Sequence, residues 1–127
     1  MNQLTGSICA PIVGYATLVG GALLFQDALF GGVTHDSSWL AIVIGGGLTA
    51  MSCVLAGYLL ACIAPSKPGL HMVPLVAWLC VETALLHVQT GSPLWFDVMA
   101  GGSNVFGVVL GVWIWIRQHQ HDALEAH

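Results

Sequence analysis

The chain has 127 residues, of which 57% are hydrophobic and 6% are charged, and its formal net charge is -4. Two cations and six acids are too few to hydrate the surface of a soluble domain, in which about 25% of residues are charged. The absence of clustered Lys and Arg argues against nucleic acid as a partner. The composition therefore predicts an integral membrane protein whose main partner is the lipid bilayer.

Four stretches of the chain are long and apolar enough to cross a bilayer, which takes about 20 largely apolar helical residues. The opening "MNQLTGSICAPIVG" has no Lys or Arg, which a signal peptide would carry in its n-region, so we expect the first span to be retained. The sequence thus predicts an all-α integral membrane protein, with four antiparallel helices forming one compact bundle over residues 1–127. The predicted spans cover residues 8–28, 39–64, 70–89 and 94–116, followed by a short cytoplasmic tail, 117–127.

The segments between the predicted spans have the composition of turns. Ser37 and Ser38 suit an N-cap before Trp39, and "PSKPG" is a short connection typical of antiparallel helices. In "TGSP", Ser92 is expected to cap the fourth helix, with Pro93 at its first position.

The orientation of the bundle depends on two cations. Lys67 and Arg117 fall on the same side as both termini, and the loops on the opposite side contain neither Lys nor Arg. Cytoplasmic loops carry the excess of Lys and Arg in membrane proteins, so we expect both termini in the cytoplasm. The resulting prediction is a multi-pass protein of the bacterial inner membrane.

Small residues line one face of three predicted spans. Close backbone approach through such residues drives helix association in lipid, because lipid supplies no hydrophobic force between helices. The favoured interpretation is structural packing in a tight bundle, with one seam available to a second copy of the chain. The small faces comprise Ala10, Gly14, Thr17, Gly21 and Ala28 in the first span, Gly45, Thr49, Ser52 and Ala56 in the second, and Ser103, Gly107 and Gly111 in the fourth.

The third predicted span differs because its distinctive face is polar. His71, Glu82 and Gln89 lie within about 40° of one another at 100° per residue, and this stripe is expected to face the bundle interior. Glu82 is about 16 Å along the helix from His71, which places it near the middle of the bilayer.

Other polar residues are predicted at the depth of Glu82. In a hairpin that turns around Pro93, Asn104 lies beside Glu82, and Thr17, Thr49 and Ser52 fall near the midplane of their own spans. The candidate binding or coupling site is therefore a layer shared by four helices, flanked by the remaining members of the stripe. Its residues are Glu82, Asn104, Thr17, Thr49, Ser52, His71 and Gln89.

The chemistry of Glu82 admits two interpretations. An ionised carboxylate at mid-membrane costs about 2.5–3.5 kcal/mol, and no Lys or Arg lies within a predicted span to pair with it, so we expect an uncharged carboxyl. A neutral acid can hydrogen-bond to Asn104 or to a Thr hydroxyl and hold helices together. It can also bind and release a proton or a small cation as access alternates.

The remaining titratable residues predict no cofactor and no metal. The cysteines, which lack paired spacings, are expected to be small buried residues. Asp97 is expected to be solvated at a helix start. The histidines do not match in depth and face as a haem in a bundle requires, although His71 could meet His119 or His121, and His87 could meet His35.

The second predicted hairpin, "AGYLLACIAPSKPGLHMVPLVAW", carries an AGY-type helix end, an "IAP" turn and a following proline, leucine and histidine. It resembles a group of small, uncharacterised bacterial membrane proteins with four transmembrane helices. The resemblance covers about residues 45–116 and implies an inner-membrane location without a known reaction. The residues that carry it are Ala56, Gly57, Tyr58, Ile63, Ala64, Pro65, Pro68, Leu70 and His71.

Three functions follow as hypotheses. The first is a non-enzymatic accessory or structural subunit of a membrane assembly, which has a homodimer or a larger membrane protein as its partner. The second is a small proton- or cation-coupled transporter or channel that uses Glu82. The third, more distant, is a haem- or quinone-binding membrane protein. No catalytic residue is predicted.

Overall fold

The protein is built from four long helices. The computed structural model describes residues 2–125, with side chains through residue 120. All four helices are long and apolar enough to cross a membrane, which confirms the predicted all-α architecture. Helix α1 spans Gln3–Ala22 and continues as a π-helical segment over Leu23–Ala28, α2 spans Trp39–Ile63, α3 spans Pro68–Thr90 and α4 spans Leu94–Glu125.

Two helices extend beyond the predicted apolar spans. Helix α1 begins at Gln3, where the Ser7 hydroxyl donates to the Gln3 carbonyl over 2.9 Å. Helix α4 continues past residue 116, with the Arg117 guanidinium 5.0 Å from the centre of the Trp113 ring. The predicted tail is therefore helical through Glu125, and residues 126 and 127 lie outside the described part. Hydropathy locates the apolar portion of a helix, whereas backbone hydrogen bonding continues into polar residues.

The turns follow the predicted chemistry except at Ser92 and at Pro93, which immediately precedes the first residue of α4, Leu94. Ser38 caps α2 by accepting a hydrogen bond from the Ala41 backbone N–H at 3.3 Å, as expected. Helix α3 ends at Gly91, whose φ of 62° is a left-handed conformation that favours glycine. The expectation that Ser92 caps α4 is wrong, because its hydroxyl donates to the Asp97 carboxylate instead.

Helix α2 lies at the centre of the bundle and forms its closest contacts with α4. A β-carbon on Gly107 would lie 2.8 Å from Cys53 Cβ and 2.9 Å from the Ala50 carbonyl oxygen. One turn further along α4, a β-carbon on Gly111 would overlap the Val54 carbonyl. Contacts advance in the same direction along both helices, so α2 and α4 are parallel and only the glycines permit their approach.

Helix α1 packs antiparallel to α2 on the other side. Gly14 lies against Ala56 and Leu60 of α2, and Gly21 further along α1 lies against Ser52. Ala28, which was expected on the same small face, is exposed in the π-helical segment. A π-helical turn contains more residues than an α-helical turn, so the residues after it are rotated about the helix axis. Ala28 therefore no longer lies on the same face as Gly14.

Helix α3 is the most peripheral of the four. Among the described residues, its fully buried members are Leu75 and Leu79, which pack against the common core. Two of the cysteines that were expected to be buried, Cys62 and Cys80, are exposed, whereas Cys53 is completely buried. An apolar span exposes most of its circumference to lipid, so an apolar neighbourhood in sequence does not indicate burial. The core consists of Ala10, Leu18, Cys53, Ala56, Leu60, Ala61, Leu75, Leu79, Val108 and Val112.

Candidate functional site

Glu82 lies at the edge between α1 and α3. Tyr15 of α1 donates its hydroxyl hydrogen to Glu82 Oε1, with an oxygen–oxygen distance of 3.4 Å. The Tyr15 ring also packs edge-to-face against Trp78, with ring centroids 6.3 Å apart. The carboxyl group is half-buried, and Trp78 beside it is 51% exposed. The acid is thus held by one neighbouring helix at the outer surface of the bundle.

The polar stripe of α3 follows α1 and does not face the interior as a whole. His71 Nε2 lies 3.0 Å from Ser7 Oγ of α1. Further along the same two helices Tyr15 meets Glu82, so α1 and α3 are parallel and the stripe follows their contact. Gln89, at the far end of the stripe, is exposed. The prediction of an inward-facing stripe is therefore wrong for Gln89 and only partly met at Glu82. The core-facing side of α3 is set by Leu75 and Leu79, which leaves the polar stripe at the edge of the contact.

Asn104 does not pair with Glu82. Its side-chain Oδ1 instead accepts a hydrogen bond from the Cys53 thiol of α2, over 3.4 Å. The predicted pairing assumed a hairpin centred on Pro93, whereas the contact between Thr83 and Gly101 shows that the turn is centred on Ser92. The shift of one residue at the turn changes the residue opposite Glu82 by two positions along α4, or about 200° around that helix.

The predicted polar layer is divided among separate local partners. Thr49 is buried, donates to the Gly45 carbonyl over 2.9 Å and accepts from Gln26 Nε2 over 3.0 Å. Ser52 donates to the Leu48 carbonyl. Such bonds to the preceding helical turn satisfy these two hydroxyls without a ligand.

Thr17 behaves in the same way. Its hydroxyl donates to the Val13 carbonyl within α1 over 2.8 Å. The members of the predicted layer that carry Thr or Ser hydroxyls thus have backbone partners, and Glu82 is joined to Tyr15 instead of to them. Tyr15 and Gln26, which donate the bonds to Glu82 and Thr49, were identifiable in the sequence as polar residues of the first predicted span.

A second polar cluster, not predicted, joins α3 to α4 at the opposite end from Lys67. His87 Nδ1 donates to Asp97 Oδ2 over 2.7 Å, and the Ser92 hydroxyl lies 2.8 Å from both carboxylate oxygens. The Thr90 hydroxyl lies 2.7 Å from Ser92 Oγ. Asp97 is 9% exposed, so the expectation of a solvated helix-end acid is wrong. The signal was present in the sequence, because His87 and Asp97 are equidistant from Ser92.

The other histidines have partners of their own. His35 Nε2 lies 3.2 Å from Asp36 Oδ2, and the His119 ring stacks on Trp115 with centroids 4.0 Å apart. His121 lies outside the residues whose side chains are described. Within the described part of the chain, no group of three or more His, Cys, Asp or Glu side chains is placed to hold a metal ion. The expectation of a protein without a cofactor stays a prediction.

A wide groove of about 810 Å³ separates the outer surfaces of α3 and α4. Its walls are mainly apolar, and His87 and Asp97 contribute to one end. A smaller apolar groove of about 270 Å³ lies between α1 and α3, beside Tyr15 and Trp78. The two grooves flank α3 on different sides.

Comparison of the chain with protein-family models, curated proteins and solved structures finds no match. The resemblance to small bacterial four-helix membrane proteins therefore stays a prediction.

Proposed function

We propose that the chain is a multi-pass protein of the bacterial inner membrane that serves as a non-enzymatic accessory or structural subunit of a larger membrane assembly. Its four apolar helices supply the spans. Lys67 and Arg117 lie at the same end of the bundle, and the positive-inside rule assigns that end, with both termini, to the cytoplasm.

The position of Glu82 is the observation that supports an assembly subunit. A carboxyl group at mid-membrane is costly when it faces hydrocarbon, and such groups normally face a protein interior or a water-filled cavity. Glu82 is only half-buried at the α1–α3 edge, and it has one long hydrogen bond, from Tyr15. A helix of another membrane protein that covers this edge with a polar side chain would remove the cost.

An apolar groove on the surface of α1 and α3 also supports a partner helix. Pro11 of α1 and Pro74 of α3 line the apolar groove beside Tyr15 and Trp78. Leu86, one turn beyond Glu82, is 49% exposed and extends the same surface. We define the partner face as Tyr15, Trp78, Glu82 and Leu86, where an apolar helix with one hydrogen-bonding residue would dock.

Site-specific photocrosslinking in native membranes tests this proposal. Benzoylphenylalanine replaces Trp78 on the partner face or, as a control, Met51, which is 68% exposed at the middle of α2. We expect one protein adduct of defined mass from position 78 and lipid adducts from position 51. Lipid adducts alone from both positions would contradict the proposal, and an adduct of twice the chain mass would identify self-association instead.

A second candidate, a proton- or cation-coupled transporter or channel, is favoured by the incomplete bonding of Glu82. Among the described residues its one hydrogen-bond partner is Tyr15, and the second carboxyl oxygen is left for a proton or a cation. Flux into liposomes would be lost in Glu82→Gln with folding intact and retained in Asp36→Asn, whose position is exposed in a loop. Equal flux in the wild type and in Glu82→Gln rejects this function.

A further inference from the structure

The groove between α3 and α4 combines an apolar body with one polar end. Cys80, Val105, Phe106 and Val109 line its deep part, and His87 lies at the end near the turn. From Asp97 to Val109 the groove follows α4 for about 18 Å, close to the thickness of one leaflet of the hydrocarbon core. The groove opens toward lipid on a side of α3 about 140° from Glu82. A ligand of this shape has a single polar head and a long apolar tail.

The polar end presents one free nitrogen in a fixed orientation. Since an ionised carboxylate only accepts hydrogen bonds, the Nδ1 of His87 carries the hydrogen in its bond to Asp97. Asp97 is itself fixed by the Ser92 hydroxyl, and both residues are more than nine-tenths buried. The His87 side chain is 41% exposed, and its Nε2 has no partner among the described side chains. In the neutral ring Nε2 accepts from a hydroxyl, and in the charged ring it donates to a carbonyl.

The charges around this end disfavour a phospholipid head. A phosphate is usually bound by Lys or Arg, but Lys67 and Arg117 lie at the other end of the bundle, and the first turn of α4 already contains the Asp97 carboxylate. The charged groups nearest to the groove end are Asp97 and His87, a pair that is neutral when His87 is protonated and negative when it is not, so it does not attract an anion. An uncharged head with hydroxyl or carbonyl oxygens fits this environment.

The floor of the groove suits a flat head. Gly101 and Gly102 lie about one turn below Asp97, and the space above Gly102 contains no protein atom within 4 Å of an added β-carbon. Phe106, one turn deeper and 67% exposed, offers an aromatic surface along the path of the tail. Gly101 is covered by the Thr83 side chain, so a planar ring can rest on Gly102, within reach of His87.

We propose that the α3–α4 groove binds a prenylated quinone or its quinol, with a ring oxygen hydrogen-bonded to His87 Nε2 and the prenyl tail directed past Phe106. The quinol hydroxyl is a donor and the quinone carbonyl an acceptor, so the two protonation states of His87 suit the two forms of the ligand. This site is independent of the partner face at Glu82.

Equilibrium binding of decylubiquinone and decylubiquinol to the full chain in detergent micelles tests the proposal. We expect one saturable site in the wild type. His87→Gln, which keeps an amide near Asp97 but moves the donor, should weaken binding by about tenfold, the effect of losing one such hydrogen bond. Gly102→Leu fills the groove floor from a position where an added β-carbon meets no protein atom within 4 Å, and it should abolish binding.

Gly47→Leu is the matched control, because an added β-carbon there also meets no atom within 4 Å, on an exposed position of α2. Its affinity should equal that of the wild type. Non-saturable uptake, or equal affinity in all four proteins, would overturn the proposal. Displacement of decylubiquinone by equimolar phosphatidylglycerol would also overturn it and assign the groove to acyl chains. Should Gly102→Leu fail to fold by circular dichroism, His87→Gln decides the outcome alone.

Discussion

The Nδ1 of His87 lies 2.7 Å from Asp97 Oδ2 and joins the last turn of α3 to the first turn of α4. The same carboxylate accepts the Ser92 hydroxyl hydrogen from within the turn. Asp97 thus connects the last turn of α3, the turn itself and the first turn of α4, whereas the contact between Thr90 and Ser92 stays within the turn. We expect this hairpin to depend on the carboxylate.

Replacing Asp97 by Asn should lower the midpoint of unfolding in detergent. The amide keeps the shape of the carboxyl but weakens the hydrogen bonds from both His87 and Ser92, because charge-assisted hydrogen bonds are the stronger ones. Asp36→Asn is the control, since Asp36 is 83% exposed where it meets His35 and such surface pairs contribute little. Equal midpoints for the two variants would show that Asp97 does not hold the turn.

The α2–α4 contact should tolerate no side chain at Gly111. Gly111→Ala places a methyl group on the Val54 backbone carbonyl, which cannot move without displacing α2, so we expect a loss of about 1–3 kcal/mol in the free energy of unfolding. Gly47→Ala, in open space on the exposed side of α2, should be neutral or stabilising because alanine favours helix. The measurement is unfolding by a denaturing detergent in mixed micelles. A neutral Gly111→Ala would exclude the close helix approach described above.

The hydrogen bond from Gln26 to Thr49 should contribute modestly to stability. Gln26→Leu removes the donor, but the Thr49 hydroxyl keeps its bond to the Gly45 carbonyl, and hydrogen bonds between membrane helices average about 0.6 kcal/mol. We therefore expect a small loss of stability with faster hydrogen exchange in the π-helical segment, Leu23–Ala28. Exchange there that is unchanged in Gln26→Leu would mean that the segment is not held through Thr49.

The orientation of the bundle can be measured with an impermeant maleimide. In a chain with the four native cysteines replaced, Asp36→Cys should be labelled in unlysed spheroplasts, since its loop is expected outside the cytoplasm. Ser66→Cys, exposed in the loop that contains Lys67, should be labelled only after lysis. The reverse pattern would place both termini outside the cytoplasm.

The four helices were predictable because hydropathy and turn residues report directly on length and on where the chain must reverse. Ser38 illustrates this, since an N-cap is a local property that requires no knowledge of the partner helix. The π-helical segment was not predictable in the same way. The segment contains Gln26, whose hydrogen bond to Thr49 joins it to α2, and such a contact between distant residues cannot be read from the local sequence.

The candidate site was less predictable because it depends on register. A turn centred on Pro93 instead of Ser92 predicts that Asn104 pairs with Glu82. In the structure the partner of Asn104 is Cys53 on α2. For the same reason the pair of His87 and Asp97 is not predicted, because these residues face each other only when the turn is centred on Ser92. The periodicity of α3 also does not show which of its sides packs against the other helices, since an apolar face can contact either lipid or protein.

The close approach at Gly107 and Gly111 has a consequence for assembly during synthesis. These glycines belong to the last helix, and their partner is α2, which leaves the ribosome well before them. The two central helices of the mature protein therefore meet only after α3 has also been inserted. Until that moment the side of α2 that contains Cys53 and Gly57 lacks its partner, and truncation of the nascent chain before α4 leaves this part of the core open.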